Sequence, residues 1–267
     1  MSRRMVCFLG LIFCIFVDQH KAFSNETSVK KNEFKVGYFL AKPLVLLPEE
    51  SDQLSGIVVD IFDDYIAPKM NVTIKWFQYP FQRLLLETEK GELDAIAFLA
   101  KNPERSAKFH YPEKAFGFID PVLLMKNSYA LNQISSPEDL KGRKIAVVKG
   151  LFVPPFLTSN DIILNQIDSS GDPHAQMLGM VHLDRVDLAY LATYAGARWE
   201  VKLLKKSIKG KLEGKNDFRL LKLPESRSAL YTVFSKKAPK ELIKKYEAAL
   251  KDWTMDQYQA YLSKYTD

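Results

Sequence analysis

Gly91-Glu92-Leu93-Asp94-Ala95-Ile96-Ala97, followed by the turn Asn102-Pro103-Glu104-Arg105, is the stretch that decides the fold. Leu93 to Leu99 is nearly all apolar, as expected for a strand covered on both faces. Gly91 ends the helix before it, and Asn102-Pro103 opens the segment after it. A second phrase of this kind is Ser136-Pro137-Glu138-Asp139-Leu140-Lys141-Gly142-Arg143-Lys144-Ile145-Ala146-Val147-Val148-Lys149-Gly150. Each phrase sets a buried strand beside a crossover. Together they predict two α/β lobes with a ligand cleft between them, and they place Arg105 facing that cleft.

Around the first phrase, Phe34, Val36 and Tyr38 alternate like a strand. Val58, Ile61, Phe62, Tyr65 and Ile66 follow helical spacing, and Pro68 is expected to stop that helix. Val72 to Trp76 reads as a second strand. Pro80 opens a helix whose inner face is Phe81, Leu84, Leu85 and Thr88. Around the second phrase, Pro137 to Leu140 reads as a short helix capped by Ser136, and Ile145 to Val148 as a buried strand. A helix is expected from Pro154-Pro155 and a strand over Ile162 to Ile167. Asp172-Pro173 caps a helix carrying Ala175, Leu178 and Val181, and Val186 to Leu191 follows as a strand. The polar stretch from Lys202 to Asn216 is expected to be an exposed loop or a frayed helix. Pro239 opens a helix with Leu242, Tyr246, Ala249, Leu250 and Trp253 on one face, and a last helix carries Tyr258, Tyr261 and Leu262. The expected first lobe is residues 34–118 plus 226–267, and the second is residues 119–222. The chain is expected to cross between them near 115–122 and 220–226.

Residues 1–24 have the layout of a cleavable secretory signal: Arg3 and Arg4, an apolar run from Val6 to Val17, then Ala22 and Ser24. The run is a dozen residues, short of the roughly 20 that span a bilayer. An uncleaved anchor is the alternative. Both cysteines, Cys7 and Cys14, lie in this leader, so the exported chain has no disulfide and no cysteine metal ligand. The whole chain has 38 basic and 32 acidic residues; the leader holds three and one of these, leaving a net charge of +4. That mild, dispersed charge argues against nucleic acid as a partner.

The motifs of common chemistries are absent. There is no GxGxxG, no GxxxxGK[ST], no GxSxG and no HExxH, so nucleotide cradles, nucleophile elbows and zinc sites are not indicated. His110, His174 and His182 are read as structural or surface residues, and no cofactor or catalytic residue is assigned. Asp94 and Asp187 each open an apolar strand, where a structural role outweighs catalysis. Arg105 is the exception. A guanidinium there can grip a carboxylate through two parallel hydrogen bonds, or else cap the helix behind it. Aromatic residues gather near the same strand ends: Tyr38, Phe39, Trp76, Tyr79, Phe81, Phe98 and, across the cleft, Phe152 and Tyr190.

With these residues in hand, the chain resembles the bacterial extracellular solute-binding proteins of family 3, the periplasmic receptors of ABC transporters, and most closely a divergent branch. The resemblance runs from Phe34 to Tyr265 and rests on Gly56-Ile57-Val58-Val59-Asp60, Gly91 to Ala95, Asn102 to Arg105, Ser136 to Gly150 and Arg185-Val186-Asp187. It implies a two-lobed periplasmic binding protein type II fold, two mixed sheets flanked by helices and joined by two hinge strands, closing on ligand by hinge motion. It also implies a monomer with a small-molecule ligand and an ABC permease or membrane sensor as partner. In the resemblance Arg105 holds a carboxylate, whereas Ala192 stands where relatives place an aspartate for the ligand's α-amino group. The residues before the arginine, Phe98 to Ala100, and the turn Leu151-Phe152-Val153-Pro154 depart from the family pattern too. An ammonium without its counter-charge would cost several kcal/mol in a closed cleft, which argues against a standard amino acid. The expected ligand-binding set is Arg105, Tyr38, Tyr79, Phe98, Ala100, Phe152, Tyr190 and Ala192. The expected ligand is a small solute, carboxylate-bearing, amino-acid-like or aromatic. A sensory module of the same fold, and a dehydratase-like enzyme with a cleft carboxylate as acid, are the competing readings.

Overall fold

A computed structural model describes residues 32–47, 53–159, 161–168, 172–207, 218–224 and 227–266. The expected leader lies outside them, as do residues 208–216 of the lysine-rich stretch and residues 225–226 of the second expected crossover.

Strand β1 (Asn32–Tyr38) lies between β2 (Val72–Gln78) and β3 (Ala95–Ala100) and runs parallel to both. From β1 to β2 the chain passes through α1 (Ile57–Ile61), a π-helical turn (Phe62–Ile66) and α2 (Ala67–Met70). From β2 to β3 it passes through α3 (Phe81–Lys90), which Gly91 ends at φ 86, a left-handed backbone that favours glycine. All of β3 is buried, which explains its unbroken apolar run. After β3 come α4 (Pro103–Lys108), β4 (Phe109–His110) and β5 (Gly117–Ile119).

The second sheet repeats the plan. Its order is β10 (Phe218–Lys222), β6 (Val122–Lys126), β9 (Leu188–Leu191), β7 (Lys144–Val148), β8 (Ile163–Ile167). Here β7 is the central parallel strand between β8 and β9, as β1 is between β2 and β3. Helix α5 (Pro173–His182) links β8 to β9, and α6 (Tyr194–Ser207) follows β9. The chain returns to the first sheet as β11 (Ser228–Ser235), antiparallel to β3, β4 and β5. In the second sheet β6 is antiparallel to β9 and β10, so both sheets are mixed. Each sheet with its helices is called a lobe below. The chain passes between them after Ile119 and after Lys222.

One local device organises both sheets. Asp94 donates its N–H to the Lys35 carbonyl at 3.0 Å and accepts the Lys35 N–H on Oδ2 at 2.8 Å. Asp187 does the same with Lys144, at 2.9 and 2.8 Å. Each carboxylate therefore pins the start of a parallel strand to its neighbour through a charge-assisted bond. That is structural work at the strand mouth.

Burial of large aromatics holds the first lobe. Phe34, Phe62, Phe234, Tyr246, Trp253 and Tyr258 are essentially inaccessible. Helix α7 (Lys240–Ala249) packs on α2, and α8 (Met255–Thr266) on α1. Trp253 Nε1 donates to the Phe116 carbonyl at 2.7 Å and Tyr258 Oη to the Phe118 carbonyl at 2.9 Å, so these two buried polar tips are satisfied.

Local expectations differ from the structure at four places. The first helix runs past Pro68 to Met70 and stops at Asn71, whose φ is 53. A proline ring clashes with the carbonyl four residues back, and the wider π turn just before relieves that clash. Pro154-Pro155 start only a single 3₁₀ turn, Pro155–Leu157, because the strand β8 begins soon after. The inner face of α5 is Pro173, Met177, Leu178 and Val181, with Ala175 exposed. Part of the lysine-rich stretch belongs to α6, a regular helix through Ser207.

Candidate ligand-binding site

The carboxyl ends of the parallel strands of both lobes meet around one cavity of about 370 Å³. Open α/β sheets bind ligands at such strand ends, and this volume suits a small solute. The segment after β1 supplies Phe39 to Lys42, that after β2 supplies Gln78 to Phe81, and the end of β3 supplies Phe98 to Ala100. From the second lobe come Val148, Leu151 and Phe152 at and beyond the end of β7, Leu191 to Thr193 at and beyond the end of β9, and Pro173, His174, Gly196 and Ala197 from α5 and α6.

Arg105 lines the cavity and is 5% exposed. Its position follows from the local sequence. The Asn102 side chain caps α4 by accepting the Arg105 N–H at 2.8 Å, and Pro103 sets the first turn. The side chain then folds back. Nη1 donates to the Ala100 carbonyl at 3.0 Å, and Nη2 reaches across the lobes to the Gly150 carbonyl at 3.1 Å. The guanidinium lies 5.3 Å from the centre of the Phe81 ring. No described acidic side chain forms an ion pair with it. Burial lowers its pKa from the ordinary arginine value, the sign of a charge held away from water without full compensation. Tyr111 also donates to the Ala100 carbonyl, at 3.2 Å, and burial pushes its hydroxyl pKa up to about 12. Gly150 has φ +80, a left-handed backbone that favours glycine, and it faces the Gln82 side chain of the opposite lobe.

Beside Arg105 stands an aromatic wall. The Phe39 ring is 5.0 Å from Phe81 and 4.7 Å from Phe98. Opposite it, the lining residues Lys42 and His174 belong to a charged cluster that reaches behind the wall. Lys42 Nζ sits 2.6 Å from Asp172 Oδ2 and 3.6 Å from Glu200 Oε1, and His174 Nδ1 is 3.8 Å from the same Glu200 oxygen. Glu200 is 4% exposed, and its Oε1 makes no hydrogen bond. Partial burial works against the Lys42 charge, but the hydrogen bond to Asp172 and the charges of Glu200 and Asp172 outweigh it and raise its pKa. Burial likewise works against the Asp172 charge, but the bonds from Lys42 and from the Ala175 N–H win, and its pKa is lowered. Among the described residues no group of three His, Cys, Asp or Glu side chains could hold a metal, and no helix is long and apolar enough to cross a membrane.

Residues 35–267 match the family of bacterial extracellular solute-binding proteins, family 3. The chain belongs to that family. One relative of this solute-binding protein is the "Probable amino-acid-binding protein YxeM" of Bacillus subtilis, 27% identical over 114 residues, which are 42% of this chain and 42% of YxeM. Among solved structures, a double mutant of the BvgS VFT2 domain of Bordetella pertussis superposes with a TM-score of 0.70 at 18% identity, over 87% of this chain and 93% of that one. A histidine kinase sensor domain with similarity to periplasmic binding proteins gives 0.68 at 14% identity, over 88% and 96%. At such identities the likeness is one of fold, and the fold is that of type II periplasmic binding proteins.

The solute-binding protein brings six of the eight expected residues to the cavity: Arg105, Tyr79, Phe98, Ala100, Phe152 and Ala192. Tyr38 and Tyr190 are not among its lining. Tyr38 is 6% exposed and packs edge-on against Trp76 at 6.0 Å; Tyr190 is 4% exposed in the core of the second lobe. Both lie inside their strands, whereas the cavity takes the consecutive residues at and beyond the strand ends, Phe39 to Lys42 and Leu191 to Thr193. Lys42, Gln78, His174 and Thr193 also line the cavity without having been expected. The available signal was positional: each lies just past the carboxyl end of a parallel strand or at the start of a helix beside one.

Proposed function

We propose that this chain is an extracytoplasmic receptor that captures a small carboxylate with an apolar or aromatic body between its two lobes. The observation that carries this reading is Arg105: a cationic group 5% exposed, with no acidic partner among the described residues, beside an aromatic wall in a cavity of about 370 Å³. A buried guanidinium gains most from a planar anion that accepts its remaining N–H donors. Export by the leader at residues 1–24, a periplasmic location and delivery to an ABC permease complete the proposal. It is capture without turnover: the two carboxylates nearest the cavity, Asp172 and Glu200, stand behind its lining and are paired with Lys42. The fold likeness to a histidine kinase sensor domain favours a second reading, in which the closed lobes signal to a membrane partner. Permease and ATPase genes beside this one would favour transport, and a kinase gene would favour signalling.

The test is a thermal-shift screen of small aromatic and aliphatic carboxylates, with native mass spectrometry of gently purified protein. At least one carboxylate should raise the melting temperature. A panel without effect, together with mass spectra of a bare chain, refutes the reading.

A further inference from the structure

Two carboxylates just behind the second-lobe lining are already answered. Asp172 caps α5 and Glu200 sits one turn beyond Ala197 on α6, and both converge on Lys42 Nζ, carried across the cleft by the segment after β1. The backbone of that segment presses directly on α6: a Cβ added at Gly196 would lie 2.5 Å from the Lys42 carbonyl. An ammonium group with three donors, set between two carboxylates at the rim of a ligand cavity, is the arrangement that a ligand's amino group would otherwise make. Here the chain supplies the amino group itself. Ala192, which also faces the cavity, offers no charge to replace it.

We propose that Lys42 fills a built-in ammonium subsite formed by Asp172 and Glu200, so that the cavity takes carboxylates that carry no ammonium of their own. This rests on the carboxylate-capture reading and deepens it by excluding α-amino acids. Lys42 is tethered, so its local concentration at the subsite far exceeds that of any free amine. A ligand ammonium would have to displace it or remain unpaired. Lys42 is thus a specificity-determining residue as well as a bridge between the lobes.

Chemical rescue tests the subsite without any carboxylate ligand. Lys42→Ala should melt below the wild type. Ethylammonium chloride should raise the melting temperature of Lys42→Ala beyond the effect of sodium chloride at equal ionic strength, leave the wild type unchanged, and lose its effect when Glu200→Gln is added. Should Lys42→Ala not fold, Lys42→Met ends where the lysine stem ends, and ammonium ion is then the matching probe. Equal effects of the amine on wild type and variant overturn the proposal. A second arm compares 3-phenylpropanoate with L-phenylalanine, which differ by the ammonium group alone. The wild type should prefer 3-phenylpropanoate at least tenfold, and loss of Lys42 should shrink that ratio tenfold. A wild type that prefers phenylalanine overturns the proposal. Amine rescue in the absence of any carboxylate binding would keep the subsite and refute the capture reading, so the two failures are distinguishable.

Discussion

Replacing Arg105 by methionine separates a ligand anchor from a structural keystone. The substitution keeps much of the volume and removes the charge. On one side it deletes two hydrogen bonds from a charged donor, to the Ala100 and Gly150 carbonyls. Each is worth about 1.5–3 kcal/mol. On the other side it removes a buried cation that has no acidic partner among the described residues, whose desolvation costs several kcal/mol. The burial-lowered pKa of the guanidinium has the same sign: the folded state disfavours the charged form, so the charge costs stability at neutral pH. The Ala100 carbonyl keeps the Tyr111 hydroxyl as donor, and the Gly150 carbonyl is left beside the cavity, within reach of water. The opposing contributions are of similar size, so Arg105→Met should lie within about 2 kcal/mol of the wild type without ligand. With ligand the two should part. A carboxylate at a hundred times its Kd stabilises the wild type by about 2.7 kcal/mol. At about 2–4 °C per kcal/mol for a chain of this size, that is a rise of about 5–10 °C in Tm. The variant should show no rise at the same concentration. Scanning calorimetry of both proteins, with and without ligand, reads all four values. A variant that keeps the full shift places the anchor elsewhere. A variant that melts more than about 10 °C below the wild type without ligand makes Arg105 a structural residue and removes the argument for an anion.

Gly196→Ala should loosen closure while leaving the fold intact. Alanine suits a helix better than glycine by roughly 1 kcal/mol, yet its Cβ would lie 2.5 Å from the Lys42 carbonyl, so the lobes must part. Small-angle scattering should show a larger radius of gyration and titration a weaker ligand; an unchanged radius would contradict the close approach. The Lys42–Asp172 pair should give a pH-dependent contribution of about 0.5–1 kcal/mol, small because both side chains are partly exposed. The lowered Asp172 pKa makes this stability present above the unfolded value of about 3.9 and lost as pH falls below it. The raised Lys42 pKa makes it persist until pH rises past the ordinary lysine value of about 10.4. Asp172→Asn keeps a capping side chain, so urea midpoints of wild type and variant should converge toward pH 3 and separate near pH 7; parallel curves would remove the charge from the argument. Asp94→Ala should cost about 1–3 kcal/mol in urea unfolding by freeing the Lys35 N–H, and Asp94→Asn less; equal stability of alanine and wild type would mean that the strand clamp contributes nothing.

The fold was legible because its signals are local and occur twice. An apolar run with an aspartate at its mouth announces a buried parallel strand, and the Asp94 and Asp187 clamps show why the aspartate stands there. The left-handed turn before the first run requires Gly91, and in the second lobe Asp184 takes the same kind of backbone at φ 54. What escaped the sequence were the places where tertiary context overrides a local rule. Pro68 reads as a helix stop, but the π turn before it lets the helix continue. Helix α6 has small and charged residues in a mixed order, and its period emerges only against its packing on β10 and α8.

The site divides along the same line. Arg105 could be found because much of what aims it lies within five residues: the cap at Asn102, the turn at Pro103 and the carbonyl of Ala100. Phe98 and Ala100 follow from the end of the same strand. Where β1 and β9 end, by contrast, depends on how the two lobes meet, and Tyr38 and Tyr190 lie on the core side of that boundary while Phe39 and Leu191 reach the cavity. The Lys42 cluster was beyond the reach of spacing altogether. Lys42 is 130 residues from Asp172 in the chain, and only the meeting of the two lobes makes them partners. Yet Ala192 in the sequence already raised the question of what becomes of a ligand's amino group, and on the proposed reading Lys42, paired with Asp172 and Glu200, is the answer. Charge in this cleft is therefore split: Arg105 has no acidic partner among the described residues, while Lys42 is matched by Asp172 and Glu200, which is the combination that the proposed carboxylate receptor requires.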